Sequence, residues 1–157
     1  MPRLAVTGHR GLPDPLAKQI NAALRTEVAR YAHLIGVTCL ADGTDTLFAH
    51  AVLGVGGVLV VVVPARGYRD SFPSSHHADY DLLIARAEHV IELDYPASTP
   101  EAYMAASLRM LDDADRLLAV WDGQPARGHG GTADVVAAAR DRGLPVTVVW
   151  PAGAVRH

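Results

Sequence analysis

The chain has 157 residues, half of them hydrophobic, and its 14 basic and 17 acidic residues leave a net charge of −3. That length supports one substantial core, so we expect residues 1–157 to form a single domain. A near-balanced charge gives no basic face of the kind that drives binding to DNA or RNA, which makes nucleic acid an unlikely partner on composition. The apolar run from Gly57 to Pro64 is too short to span a bilayer, and a lone cysteine fits a reducing compartment. We therefore expect a cytoplasmic protein without a membrane partner.

Short apolar runs alternate with longer amphipathic segments along the whole chain. Predicted strands lie near residues 3–8, 36–41, 57–63, 89–93, 115–121 and 145–150. Predicted helices lie between them, near residues 14–33, 44–54, 75–87, 100–113 and 132–142. Apolar strands that alternate with helices are typical of a parallel sheet covered on both faces. The sequence therefore predicts an α/β fold with a doubly wound, mostly parallel, Rossmann-like sheet of about six strands and helices on both faces.

The loop after the first predicted strand, Gly8-His9-Arg10, is a candidate phosphate site. Ligands of doubly wound folds bind at the carboxyl ends of the strands, where glycines allow close approach and an arginine can contact phosphate. The loop lacks the G-x-G-x-x-G pattern, so a standard NAD site is not supported and no cofactor is predicted. A solvated arginine on a tight turn is the alternative interpretation.

The second predicted strand leads into a loop with two carboxylates, Asp42 and Asp45, around Gly43. A carboxylate accepts hydrogen bonds and ribose hydroxyls donate them, so either side chain is a candidate ribose ligand. Either one is equally suited to cap the helix that follows.

The segment after the third strand is polar, aromatic and long for this architecture, as active-site flaps often are. Tyr68 is a candidate for stacking on a base, with Arg66 and Arg69 near phosphate. His76 and His77 are adjacent, so they diverge on a helix and no third ligand has a natural spacing. No metal site is predicted.

An apolar run that ends at Trp121 leads through a glycine-rich loop into the last predicted helix. Helix N-termini with glycines bind anions, because free N–H groups and the positive end of the helix point at the ligand. An ordinary capped loop is the alternative, with Thr132 as the N-cap. The candidate ligand-binding residues here are Asp122, Gly123, Arg127, Gly130, Gly131 and Thr132.

The segments TGHRG, LADGTD, LLAVWDG and GHGGTADVV resemble the SLOG superfamily, which includes the DNA-processing protein Smf and the Lonely Guy nucleotide hydrolases. The resemblance covers nearly the whole chain and implies a Rossmann-like domain that binds a nucleotide or a nucleotide-derived ligand. Gly43 and Asp45 match the last Gly and Asp of the Smf pattern S-G-x-A-x-G-I-D. Gly131 and Thr132 match the Gly-Thr of the Lonely Guy pattern P-G-G-x-G-T-x-x-E.

The chain departs from the Lonely Guy pattern where that family is catalytic. The catalytic Glu falls on Val135 and the Arg of the preceding helix falls on Ala106. We therefore expect a binding module of the sensor or scaffold kind. The alternative is an N-glycosidic hydrolase of a nucleoside monophosphate, with Asp134 or Asp45 stabilising an oxocarbenium-like centre. The resemblance also implies self-association as a homodimer or larger homo-oligomer.

Overall fold

The structure is a computed structural model, and it describes residues 1–125 and 131–154. Its strands are β1 (Arg3–Gly8), β2 (Ile35–Thr38), β3 (Val58–Ala65), β4 (His89–Tyr95), β5 (Arg116–Val120) and β6 (Val146–Val149). Its helices are α1 (Asp14–Val28), α2 (Thr44–Gly54), α3 (Ser74–Arg86), α4 (Pro100–Asp112) and α5 (Thr132–Asp141), with a short 3₁₀ turn at Arg69–Ser71.

The strands form one sheet in the order β4-β3-β2-β1-β5-β6, and every pairing in it is parallel. The predicted α/β fold, Rossmann-like and doubly wound, is confirmed. Helices α1 and α2 pack on one face together with Leu4 and Val6 of β1, while α4 and α5 pack on the other face with Ala5. Alternate residues of a strand face opposite sides, so β1 is buried on both.

Helix α1 follows its apolar stripe and stops with it. Leu16, Ile20, Leu24 and Val28 recur every fourth residue and are all buried. The predicted helix extends to residue 33, but the next residue of the fourfold spacing, Ala32, is exposed, and the chain turns at His33 with φ of 57°. A helix is held in a protein mainly by its packed face, so it ends where that face ends.

Strand β2 is shorter than predicted, because the chain leaves the sheet at Leu40. This residue is fully buried and has φ of 58°. That value lies in the left-handed region, where the backbone of any residue other than glycine is strained. His76 Nε2 lies 3.1 Å from the Leu40 carbonyl oxygen, and the Leu40 amide donates to Thr38 Oγ1 at 3.1 Å. These contacts hold the turn that leads into α2.

In the part of the chain that the structure describes, no helix is both long and apolar enough to cross a membrane.

Candidate functional site

A cavity of about 360 Å³ opens at the carboxyl edge of the sheet. Strand order reverses between β1 and β5, because the chain moves outward from β1 through β4 and then returns to place β5 on the other side of β1. The loops after these two strands diverge at such a point and leave a crevice, which is where doubly wound folds bind ligands. The ends of β1 and β5, the loops after β2 and β3, helix α4 and the first turn of α5 line the cavity.

The structure brings part of the predicted ligand set to this cavity. The predicted residues that line it are Gly8, His9, Arg10, Asp45, Tyr68, Gly131 and Thr132. The predicted residues that are described but do not line it are Asp42, Gly43, Asp122, Gly123 and Asp134. Arg127 and Gly130 lie outside the described residues. The ligand roles of all of them stay predictions.

The first turn of α5 forms one wall of the cavity through Gly131, Thr132 and Ala133. Its N-cap is Gly131, which has no side chain with which to cap the helix, so the predicted cap at Thr132 is wrong by one residue. Thr132 is the first helical residue, where its backbone N–H has no acceptor within the helix. A glycine N-cap makes no side-chain bond to the first amides of the helix, and such an N-terminus suits an anion in the cavity.

His9 ties this helix to the end of β5. The ring is 4% exposed, and its Nε2 accepts a hydrogen bond from the Asp122 amide at 3.3 Å. Its Nδ1 lies 3.5 Å from Thr132 Oγ1, and Trp150 packs edge-on against the ring at 5.5 Å between centroids. The β1 loop, the β5 loop and α5 therefore meet at one buried imidazole.

Arg10 is the one arginine among the described residues that line the cavity. Its Nε donates to Asp42 Oδ1 at 2.7 Å, and its guanidinium carbon lies 5.1 Å from the centre of the Phe72 ring. These contacts fix the side chain at the cavity rim while part of it stays exposed. The contact with Arg10 also gives Asp42 a partner within the protein. Asp42 does not cap α2, whose N-cap is Gly43, and it does not line the cavity.

Arg66 and Arg69, the other arginines predicted near phosphate, point elsewhere. Arg66 donates to Asp94 at 2.9 Å on the surface, and Arg69 makes two hydrogen bonds to Asp81 at 2.7 and 2.8 Å. Neither lines the cavity. The polar segment after β3 therefore contributes Tyr68, rather than its arginines, to the cavity wall.

Asp45 is buried in the cavity wall at the start of α2, with 8% of its surface exposed. Its Oδ2 accepts a hydrogen bond from the Ala41 amide at 3.2 Å, which ties the helix back to the loop after β2 and leaves Gly43 as the N-cap. Burial raises the pKa of the carboxyl to about 7, against the smaller lowering effects of the Ala41 amide and of Arg10. Near neutral pH this group is divided between its acid and its carboxylate.

Gly8 and Gly43 are needed where the β1 loop meets α2. A Cβ on Gly8 would lie 2.5 Å from the Thr44 side chain, and a Cβ on Gly43 would lie 2.9 Å from the His9 carbonyl oxygen. Gly43 also has φ of 87°, which side chains rarely adopt. Both glycines are predicted ligand contacts. The structure gives both a packing reason, and only Gly8 reaches the cavity.

The aromatic part of the wall contains two residues that the sequence analysis did not single out. Tyr68 is 3% exposed and packs edge-on against Phe72 with ring centres 4.7 Å apart, so most of its ring is covered. Tyr103 and Trp121 also line the cavity and are only half-buried. The spacing of residues on α4 could have indicated Tyr103, because Tyr103, Ser107 and Met110 lie on the same face of that helix.

The positions where the resemblance places catalytic residues are filled by core side chains. Val135 is 1% exposed and Ala106 is fully buried, and both belong to the apolar cluster between the sheet, α4 and α5. Asp134 lies one residue earlier on α5 and does not line the cavity.

The fold is similar to that of several solved proteins. DNA processing protein A from Streptococcus pneumoniae matches with a TM-score of 0.71 and 22% identity, over 98% of this chain and 51% of that one. The homologous protein from Helicobacter pylori, solved for its single-stranded DNA binding mode, gives 0.65 and 14%, over 94% and 64%. The molybdenum cofactor carrier protein from Chlamydomonas reinhardtii gives 0.57 and 16%, over 94% and 74%.

The chain shares a Rossmann-like fold with these proteins, which is the fold that the resemblance to the SLOG superfamily implies. The resemblance seen in the sequence is therefore confirmed at the level of the fold. The chain spans about half the length of the S. pneumoniae protein, at 51%. No protein-family model matches the sequence, and no curated protein matches it.

One expectation about partners is wrong. From the near-balanced charge we expected nucleic acid to be an unlikely partner. The H. pylori protein, which has a similar fold, nevertheless binds single-stranded DNA. Net charge averages over the whole surface and does not report the charge of one groove, so it is a weak ground for excluding such a partner. Self-association, which the resemblance implies, stays a prediction.

Proposed function

We propose that this protein binds a nucleotide or nucleotide-derived small molecule in the cavity between the ends of β1 and β5. The observation that carries the proposal is the composition of the cavity wall. A helix N-terminus with a glycine N-cap lines the same cavity as Arg10, Tyr103 and Trp121. An anion-binding turn and half-buried aromatic rings in one cavity suit a ligand with a phosphate at one end and a flat ring at the other.

In this proposal the phosphate lies over the turn Gly131–Thr132, the sugar lies above the end of β1, and the base lies toward the loops after β2 and β3. Neighbouring strands are about 4.8 Å apart, so the ends of β5 and β2, which flank β1, are about 10 Å apart. A ligand that crosses β1 therefore spans two strand spacings, which suits a phosphate and a base joined by one sugar.

The proposal is tested by calorimetric titration with nucleoside monophosphates, with the parent nucleosides and with ribose 5-phosphate. We expect the monophosphates to bind and each fragment to bind at least tenfold more weakly, because each lacks the contacts of one end. Arg10→Ala should weaken monophosphate binding about tenfold, since a hydrogen bond to a charged group contributes about 1.5 kcal/mol or more. Arg66→Ala is the matched control, because Arg66 is paired with Asp94 away from the cavity. Failure of every monophosphate to bind at millimolar concentration would refute the proposal.

We further propose that binding is not followed by hydrolysis of the N-glycosidic bond. Val135 and Ala106 carry no charge and are buried, so they offer nothing to a developing positive charge at the sugar. Asp45 must be ionised to take that part, and a pKa of about 7 leaves it only partly so at neutral pH. Incubation with each monophosphate and chromatography of the products should detect no free base. Turnover that Asp134→Asn abolishes would establish the hydrolase instead.

Single-stranded DNA is the second candidate ligand, because the H. pylori DNA processing protein A binds it on this fold. A nucleotide unit of a strand presents the same phosphate and base as a free nucleotide. Competition decides between the two: a short oligonucleotide that displaces a bound monophosphate, with a dissociation constant at least tenfold lower, would favour the strand. A monophosphate that binds more tightly than any oligonucleotide would favour the small molecule.

A further inference from the structure

Asp45 is the one acidic side chain among the described residues that line the cavity. Its Oδ2 accepts from the Ala41 amide, whereas no protein donor to Oδ1 is found in the described residues. Much of the wall near it is apolar, with Cys39, Pro64 and Met110 lining the same cavity. A buried carboxylate in such surroundings is costly unless a donor reaches it. The Oδ1 oxygen of Asp45 is therefore suited to accept a hydrogen bond from a donor on the ligand.

The groups around Asp45 do not supply a full counter-charge. Arg10, in the loop after β1, attracts the carboxylate but is already paired with Asp42, which repels it. The Cys39 thiol and the Tyr68 hydroxyl, in the loops after β2 and β3, interact electrostatically with Asp45, and both are neutral because burial raises their pKa values. The carboxyl therefore titrates near pH 7 and responds to a ligand that favours one of its two forms.

We propose that ionised Asp45 recognises the edge of the ligand's ring, by accepting hydrogen bonds from two adjacent N–H donors such as the ring N1–H and the 2-amino group of guanine. This inference rests on the proposed function and adds the class of base. A carboxylate is an acceptor at both oxygens, so it matches a donor-donor edge and opposes the donor-acceptor edge of adenine. Charge-assisted hydrogen bonds of this kind are about twice as strong as neutral ones.

The position of Asp45 favours the ring over the sugar as its partner. It begins α2 beyond the end of β2, one strand further from α5 than the β1 residues Gly8 and His9. With the phosphate over α5, the sugar lies above β1 and the ring reaches β2. The half-buried Tyr103 ring lines the same cavity and is available to one face of the base.

The test compares GMP with IMP, which differs only by lacking the 2-amino group, and with AMP. We expect wild-type protein at pH 8 to bind GMP about tenfold more tightly than IMP, because a hydrogen bond to a charged acceptor is lost. Asp45→Asn should bring the GMP to IMP ratio close to one, since the amide has one acceptor and sets a donor against the 2-amino group. Asp141→Asn, an equal change of charge at the exposed end of α5, is the matched control and should keep the ratio.

The pH profile gives a second, independent readout. Only the ionised form accepts both bonds, so the affinity of wild-type protein for GMP should fall roughly tenfold from pH 8 to pH 6, as the competent fraction falls. The same measurement on Asp45→Asn corrects for titration of the ligand's own phosphate. The wild-type comparison of GMP with IMP stands even if the variant does not fold.

These measurements distinguish base recognition by Asp45 from nucleotide binding itself. Equal affinity for GMP, IMP and AMP would overturn the assignment of Asp45 while leaving nucleotide binding intact. A preference for AMP that strengthens at low pH would also overturn it, because the acid form would then be recognising a donor-acceptor edge. Failure of all three to bind while a pyrimidine monophosphate binds would overturn the assignment of Asp45 alone, and failure of every nucleoside monophosphate would overturn both.

Discussion

His9 and Asp122 join the ends of β1 and β5 across the point where the strand order reverses. The Asp122 amide donates to His9 Nε2 at 3.3 Å, and the Asp122 carboxylate lies 3.5 Å from the same nitrogen. Acceptance at Nε2 leaves the proton of the neutral ring on Nδ1, which faces Thr132 Oγ1. The Thr132 hydroxyl hydrogen is then free to turn toward a ligand in the cavity.

Replacing His9 should damage both stability and binding. We expect His9→Ala to lower the free energy of unfolding by about 2 kcal/mol, because it removes a buried ring that packs on Trp150 and leaves the Asp122 amide without its acceptor. Nucleotide affinity should fall at least tenfold. Urea unfolding and calorimetric titration measure these effects, and His89→Ala on the exposed edge of the sheet is the control. Unchanged affinity in a folded His9→Ala variant would contradict the role given to this contact.

Asp45 should make stability depend on pH. Because its folded-state pKa of about 7 is raised above the ordinary value of 3.8, the folded protein binds a proton more readily than the unfolded chain. The resulting stabilisation is fully present below pH 4 and is lost as pH rises through 7. The loss amounts to at most about 4 kcal/mol.

Asp45→Asn cannot ionise, so it should be more stable than wild type at pH 8, and the difference should shrink toward pH 4. Urea unfolding between pH 4 and pH 8.5 measures this, with Asp141→Asn as the reference for a general change of charge. A difference between wild type and Asp45→Asn that stays constant over this range would show that the carboxyl titrates normally.

Two glycines with positive φ should respond differently to substitution. Gly43 has φ of 87° and its Cβ would meet the His9 carbonyl oxygen at 2.9 Å, whereas Gly123 has φ of 82° and faces open space. Alanine at residue 123 should cost about 1 kcal/mol from backbone strain alone. Alanine at residue 43 should cost at least twice as much, because the β1 loop must also move. Equal losses by thermal or urea unfolding would mean that the loop yields easily.

The single thiol offers a probe of the cavity. Cys39 lines it with 8% of its surface exposed, and burial raises its pKa, so little thiolate is present at pH 8. We expect iodoacetamide to label it much more slowly in the folded protein than in urea. Saturating nucleotide should slow the reaction further, and Cys39→Ser supplies the background. Rapid labelling that a bound nucleotide does not change would place the ligand elsewhere.

The sequence was sufficient for the architecture because periodicity reports burial directly. The uninterrupted apolar run of β3 indicates a strand covered on both faces, and the fourfold spacing in α1 marks a helix with one buried face. Thr99 directly before Pro100 is a typical start of a helix, and the Thr99 side chain accepts a hydrogen bond from the Ala102 amide at 3.2 Å. Each of these signals lies within a few consecutive residues.

The details of the cavity were less accessible, because they depend on pairs that are distant in sequence. Nothing near Asp42 in the sequence indicates that its carboxylate pairs with Arg10, which lies 32 residues earlier. In sequence, an apolar stripe such as the one on α4 is as compatible with an interface between subunits as with the core. In the structure Met104 and Leu111 of α4 pack into the core beneath the helix. Long-range contacts of this kind follow from topology, which local patterns do not specify.

The strand order also sets when the cavity can exist during synthesis of the chain. Strand β1 is made first, yet one of its two neighbours in the sheet is β5, and the Arg3 amide bonds to Asp115, 112 residues later. Until β5 and α5 emerge from the ribosome, β1 is an open sheet edge that can pair with another chain. Such distant contacts also slow folding. A fragment that stops after α4 should therefore aggregate rather than fold, and the cavity forms only after β5 and α5 have been made.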